Sequence, residues 1–380
     1  MKPVPSGVEG PVPSIERILL EKRVIVCCGA GGVGKTTTAA ALALAAARKG
    51  RRVLVLTIDP SRRLAETLGV SRNPKEPVKL PEDRMKAAEI TAPASLEAWM
   101  LDAKLVADEA VRRLVKSEED QEKVLKNRVY QHVTSMVAGM HEYTAMEALH
   151  RFVLEGRYDL VILDTPPSRH ALDFLEAPSR LARFLDGKIF RLFLPREGGF
   201  FHRAAGRIVG RVLSGVFGEE FAGELTLFFS VFSPIFSALN RDVSQMREFL
   251  SRPDVAFLLV TSPAAAALTE VHFFQRKTHE LGLPFRGFVL NRSHARDEDK
   301  VFPEETLLPA DAGPEARSGL EKLRALARVE QALGERDRIL LSDLSSRAGA
   351  GALAVALPSL PQGADDMRTL LTIANVLARS

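Results

Sequence analysis

Cysteine is almost missing from this chain. Its 380 residues hold two, Cys27 and Cys28, side by side in one apolar run. Two neighbours cannot staple a small secreted domain, and so few thiols fit a reducing cytoplasm. No Cys-x-x-Cys occurs, so a zinc site built on thiolate pairs is not expected. The pair itself reads either as small buried strand residues or as a vicinal thiol able to hold a soft ion. Net charge is scarce too: 52 Lys and Arg against 48 Asp and Glu leave +4. No basic run is interleaved with aromatics, so nucleic acid is not an expected partner. Long apolar runs are lacking. The most membrane-like stretch, Leu225 to Leu239, is shorter than the ~20 residues a span needs, and Pro234 breaks it. Met1 to Pro13 is rich in Pro, Gly and Ser and has no apolar signal segment. The expectation is a cytoplasmic protein that does not itself cross a membrane. With 46% hydrophobic and 26% charged residues, the chain can bury one large α/β domain with insertions, or two domains.

One stretch carries chemistry. Gly29-Ala30-Gly31-Gly32-Val33-Gly34-Lys35-Thr36 follows Val24 to Cys28, which reads as a buried strand. It precedes Thr37 to Lys49, rich in Ala and Leu, which reads as a helix. Gly-x4-Gly-Lys-Thr between strand and helix is the phosphate-binding P-loop, or Walker A, pattern. Glycines let the backbone curl so that several N–H groups face one point, where phosphate oxygens sit. The helix N-terminus adds free N–H groups and the positive end of its dipole. Lys35 is expected on the β and γ phosphates and the Thr36 hydroxyl on Mg²⁺. The expected nucleotide contacts are therefore Gly29, Ala30, Gly31, Gly32, Val33, Gly34, Lys35, Thr36 and Thr37.

Further strands are expected at Val53 to Thr57, Lys86 to Ile90, Asp159 to Leu163, Val255 to Val260, Phe285 to Leu290, Arg338 to Leu341 and Ala352 to Leu357. Helices are expected at Ala265 to Leu281, Ser318 to Leu333 and Asp365 to Arg379. The fold class is α/β: a mostly parallel sheet flanked by helices, with an inserted all-helical subdomain. In such sheets the loops at the carboxyl ends of strands line the ligand crevice. Asp59, after the second strand, would face the nucleotide; it or Ser61 would also cap a helix at Leu64 to Leu68. Asp164, at the end of an apolar strand downstream of a P-loop, takes the position that holds the Mg²⁺ water shell. Asn291, at another strand end, either bonds adenine or turns the chain.

Two blocks read as helical, at Ala94 to Leu154 and Arg180 to Leu250. Met136, Met140, Tyr143 and Glu147 share one helix face, either as core filler or as a flexible binding surface. The second block holds twelve of the twenty phenylalanines. Phe228, Phe229, Phe232 and Phe236 share a face of a helix that is apolar nearly all round. Such a helix is a packed core or a client surface. The expected division is a disordered tail at 1–13, a nucleotide-binding core from 14–92, 155–183 and 253–380, and a helical insert from 93–154 and 184–252.

At Gly29 to Thr36, Asp59-Pro60, Asp164-Thr165-Pro166-Pro167 and Asn291-Arg292, the chain resembles the arsenite-pump ATPase (ArsA) family. That family includes the eukaryotic ATPase that targets tail-anchored membrane proteins. The resemblance implies an ATP- and Mg²⁺-dependent ATPase working as a nucleotide-gated dimer, homomeric or paired with a paralogue. It implies helical subdomains that act on a hydrophobic or membrane-protein client. Lys35 and Thr36 match the phosphate lysine and the magnesium hydroxyl. Asp59 matches the switch I aspartate, placed to position or activate water and near the metal. Asp164 matches the switch II aspartate, Asn291 the adenine-reading asparagine, and the Pro358 loop the segment over the base. The departures are informative. The family carries a signature lysine where this chain has Ala30, which removes a positive charge that crosses the dimer. Arg62, Arg63 or Arg169 would substitute, a paralogue would supply it, or turnover is slow. The interfacial zinc of the targeting branch cannot form without Cys-x-x-Cys. The helical block lacks the cysteines by which the pump ATPase binds arsenite.

Overall fold

A computed structural model describes residues 14–57, 63–71, 76–102, 117–127, 140–165, 248–295, 312–349, 351–360 and 367–380, with scattered positions at 104–131, 218–219 and 303–309. Eight strands form one sheet: β1 (Val24–Cys28), β2 (Arg52–Thr57), β3 (Val78–Lys79), β4 (Ser95–Met100), β5 (Leu160–Asp164), β6 (Val255–Thr261), β7 (Phe285–Ser293) and β8 (Leu353–Pro358). Their order is β3-β4-β2-β5-β1-β6-β7-β8. All neighbours run parallel except the short edge strand β3, which is antiparallel to β4. β1, β5 and β6 are buried at every position, the signature of a parallel sheet covered on both faces.

The alternation of strand side chains divides the core in two. On one face Ile25, Cys27, Val53, Val55 and Ile162 pack under helices α1 (Ile15–Glu21), α2 (Lys35–Arg48), α3 (Arg63–Leu68) and α9 (Met367–Ala378). On the other, Val26, Cys28, Leu54, Leu56 and Leu163 meet α6 (Met140–Glu155), α7 (Ala265–Glu280) and α8 (Pro314–Ala348). Cys27 and Cys28 thus point to opposite faces and cannot share an ion. Among the described residues two further helices are α4 (Glu82–Ala87) and α5 (Glu118–Lys126).

α2 is the central helix of the first face. Every residue from Thr38 to Ala47 is buried, and seven of the positions from 39 to 47 are alanine. Its small side chains bring it close to Leu370, Ile373, Ala374 and Leu377 of α9. Alanine suits this place because it has high helix propensity and no rotamers to freeze.

Three sequence expectations need correction. Ser95–Met100 is a strand, not helix, and pairs with β2 from Arg52↔Ser95 to Thr57↔Met100. Its first four positions alternate between half-buried and buried, and Ala98, Trp99 and Met100 are all buried. The expected strand at Lys86 to Ile90 is instead the end of α4 and a turn at Glu89, whose φ is +58°. The expected strand at Arg338 to Leu341 is the middle of α8, which begins at Pro314 rather than Ser318 and continues to Ala348. Gly334 does not break this helix. It lets the helix pass the His294 carbonyl, which would lie 3.2 Å from an added Cβ. The disordered tail expected at 1–13 lies outside the described residues, as does most of the 184–252 block.

Candidate functional site

β1 ends at Cys28, and the chain turns through Gly29, Gly32 and Gly34 at φ of +148°, +78° and +93° before α2 starts at Lys35. At two of these glycines space as well as φ excludes a side chain. A Cβ on Gly29 would lie 2.1 Å from the Val260 carbonyl oxygen, and one on Gly34 would lie 2.1 Å from Asn291 Nδ2. No side chain caps α2, and its first turn carries no acid. Its leading N–H groups and dipole therefore face the loop, an arrangement suited to an anion. Lys35 is buried, and its Nζ donates to the Ala30 carbonyl at 2.8 Å. The ammonium folds back over the loop that the glycines shape.

Asp164 ends β5, the strand between β1 and β2, and stands in register with Cys27 and Thr57. It is fully buried. Thr36 Oγ1 donates to Asp164 Oδ2 at 2.8 Å, and Thr57 Oγ1 donates to the same oxygen at 3.1 Å. Two hydroxyls from different elements thus meet one carboxylate oxygen. Spending its proton on Asp164 leaves the Thr36 oxygen with lone pairs and no hydrogen on its outer side, the form a cation ligand needs. The next residue, Thr165, donates to the Cys27 carbonyl from its N–H at 3.3 Å and from Oγ1 at 2.8 Å. This pins the exit of β5 to β1. Burial pushes both thiols behind the loop up, that of Cys28 to about 12.

Asn291 lies in β7, buried, and its Nδ2 donates to the Val33 carbonyl at 2.9 Å. Its amide braces the P-loop from a strand two places away from β1. Sequence offered an adenine contact or a turn; the brace is a third role, invisible locally because the partners are 258 residues apart. Pro358 closes β8 opposite Ser293, and Ser359 N donates to the Ser293 carbonyl at 3.0 Å, so the Pro358 loop leaves the sheet beside Asn291. The structure therefore brings together Gly29 to Thr37, Asp164, Asn291 and Pro358 at the carboxyl edge of the sheet. Thr57 was missed, although strand order would have put it beside Asp164.

Asp59 lies outside the described residues, between the end of β2 at Thr57 and α3 at Arg63. Met136, Phe228, Phe229, Phe232 and Phe236 also lie outside them, and Met140 is the first residue of α6. No helix among the described residues is long and apolar enough to cross a membrane.

A family described as anion-transporting ATPase matches residues 22–304, three quarters of the chain and all of this site except Pro358. The chain belongs to that family. Among individual relatives, an uncharacterized protein of Streptomyces coelicolor is 30% identical over 311 residues, 80% of this chain and 69% of that protein. A putative arsenical pump-driving ATPase of Halobacterium salinarum is 31% identical over 182 residues, 47% of this chain and 27% of that protein. The ATPase GET3 of Malassezia globosa is 28% identical over 198 residues, 49% of this chain and 55% of that protein. Family membership thus agrees with the P-loop α/β architecture. The chain spans only about a quarter and about half of the two relatives named as ATPases.

Proposed function

We propose that this protein binds ATP with Mg²⁺, hydrolyses it, and uses the nucleotide to switch a dimer that handles a hydrophobic or membrane-protein client. The observation that carries the reading is the shared oxygen of Asp164, which gathers Thr36 and Thr57 beside Lys35. One hydroxyl, one carboxylate and neighbouring phosphate oxygens are a donor set for a hard octahedral cation that keeps several waters. Thr36 would hold the metal directly and Asp164 would hold its water shell. The cation supplies charge neutralisation on the transferring phosphoryl group.

Each residue then has one task. Gly29 to Gly34 turn N–H groups toward the phosphates, and Lys35 exchanges the Ala30 carbonyl for phosphate oxygens. Asp59 positions the attacking water, and it need not be a strong base because the transition state is loose. Asn291 keeps its Nδ2 on Val33, which leaves Oδ1 to accept from the amino group of adenine. Pro358 closes over the base. Ala30 removes a cation from the site, so turnover is slow unless the partner protomer or a paralogue restores the charge. The helical blocks, starting after β4 and including Met136, Met140, Phe228, Phe229, Phe232 and Phe236, carry the client surface. The protein works in the cytoplasm as a homodimer or beside a paralogue, without zinc or nucleic acid.

Steady-state ATP hydrolysis tests the reading. Wild type is expected to turn over slowly, Ala30→Lys faster, and Asp59→Asn slower by at least about tenfold. Lys35→Ala should lose binding of a fluorescent ATP analogue. Equal, negligible turnover of wild type and Asp59→Asn, with no analogue bound by either, would end the enzyme reading. Stimulation by arsenite would instead favour an anion-extrusion role.

A further inference from the structure

β7 does not run straight into the site. From Leu290 to Ser293 it takes three steps while β8 takes two, from Ala356 to Pro358, so one residue of β7 is extra. Such a bulge is rare between parallel strands. It bends the strand that carries it and re-aims the side chains beside it. Here it coincides with Arg292, whose φ of +57° is left-handed. A residue with a Cβ is strained in that conformation, and glycine is not. Arg292 is exposed, between buried Asn291 and buried Ser293. The cause of its conformation lies in the chain on either side.

Downstream, three bonds fix the chain. The Ser293 carbonyl accepts from Ser359 N at 3.0 Å, Ser293 Oγ accepts from Ala295 N at 3.1 Å, and Asp337 Oδ2 accepts from His294 N at 2.8 Å. Asp337 is fully buried in α8, and its other oxygen accepts from Arg336 Nε at 2.9 Å and Nη2 at 2.7 Å. Upstream, the Asn291 side chain holds the P-loop by one neutral bond, from Nδ2 to the Val33 carbonyl at 2.9 Å. Arg292 is the joint between these anchored ends. If it relaxed to an extended conformation, one end would have to move. Bonds to an ionised carboxylate are about twice as strong as neutral ones, so the Asn291 end gives way and the His294 end holds.

We infer that Arg292 is a positioning residue: its left-handed backbone, not its guanidinium, aims the Asn291 amide at the P-loop and so sets which base the nucleotide site accepts. This rests on the nucleotide reading above and deepens it. Turning the amide over would set Oδ1 against the Val33 carbonyl, two acceptors face to face. With Nδ2 committed, Oδ1 is presented as an acceptor. It suits the amino group of adenine and repels the carbonyl that guanine carries in the same place.

Titration of fluorescent ATP and GTP analogues into the full chain, beside thermal unfolding, tests this. Wild type is expected to prefer ATP. Arg292→Val, β-branched and ill suited to a positive φ, should weaken ATP about tenfold and lower the ATP/GTP ratio. Arg292→Gly is unstrained, and Arg292→Ala keeps the Cβ while losing the guanidinium; each should bind ATP within about twofold of wild type. In an Asn291→Ala background there is no amide to aim, so Arg292→Val should change the ratio no further. A lower melting temperature with an unmoved ratio in Arg292→Val would make the bulge merely structural and overturn the proposal. So would a tenfold loss in Arg292→Gly or Arg292→Ala, variants that decide the matter even where Arg292→Val fails to fold. ATP and GTP bound alike by wild type and by Asn291→Ala would overturn this inference and leave the nucleotide reading standing. Wild type that binds neither analogue would end both.

Discussion

Thr57 is the residue on which the site's geometry turns most quietly. Thr57→Val keeps its shape and takes one hydroxyl donor from a fully buried carboxylate oxygen. The expected loss is about 1–3 kcal/mol in urea unfolding, with a parallel loss of Mg-ATP affinity. Gly34→Ala should be worse for the nucleotide than for the fold. Its Cβ meets Asn291 and its φ is left-handed, which costs roughly 1–2 kcal/mol in backbone strain alone and pushes the brace off Val33. Fluorescent-ATP titration beside thermal unfolding separates the two effects. The thiols give a third readout. Burial pushes Cys28 up to about 12, so neither cysteine should react with a thiol reagent at neutral pH until the chain unfolds. At this scale the sequence was legible where function is local. Lys35, Thr36 and the phosphate loop stand within one motif, and Asp164 ends an apolar run. The Asn291 brace and the Thr57 hydroxyl depend on strand order, which no window of sequence contains.

At the scale of elements, the junction of β2 and β5 makes a pH-dependent contribution. Asp159 precedes β5 and receives Arg52 N at 2.8 Å, Arg52 Nε at 3.2 Å and Arg52 Nη2 at 2.7 Å. The Arg52 side chain, more than burial, holds the Asp159 carboxyl below its ordinary value. A lowered carboxyl stabilises the fold above the unfolded-state value and loses that contribution as pH falls through the folded one. Asp159→Asn should thus cost stability at neutral pH, about 0.2–1 kcal/mol because the pair is partly exposed, and nothing in strong acid. Chemical denaturation at both pH values checks the sign. The elements misread from sequence share a cause. Ser95–Met100 sits beside the edge, with Ser95 and Glu97 half-buried, so its pattern lacks the continuous apolar run of β5. Arg338 to Leu341 holds the apolar run Ile339-Leu340-Leu341 but belongs to a helix whose register is set by Leu344 and Asp337, on either side of it. The central strands were legible because burial on both faces demands a near-continuous run of apolar side chains.

For the whole molecule, the prediction concerns the client. Replacing Phe228 and Phe232 by Asp should release apolar cargo that co-purifies, with nucleotide binding intact. Loss of the folded core in circular dichroism would instead make those residues structural. The ArsA-like architecture was legible as a whole because the loop motif and the apolar strands β1, β2, β5, β6, β7 and β8 stand out in the sequence; the corrections removed two expected strands and added β3 and β4 at one edge of the sheet. A last consequence comes from the alanines of α2. Enclosed by the sheet, α3 and α9, the helix is buried at every position from 38 to 47, where a larger side chain would overpack the core. In a saturation scan scored by protein abundance, positions 39–47 should tolerate less than the phosphate loop itself. Scored by ATP turnover, Lys35 should dominate. The two tolerance maps would then peak about two helical turns apart, and the boundary between them would mark where selection for folding ends and selection for chemistry begins.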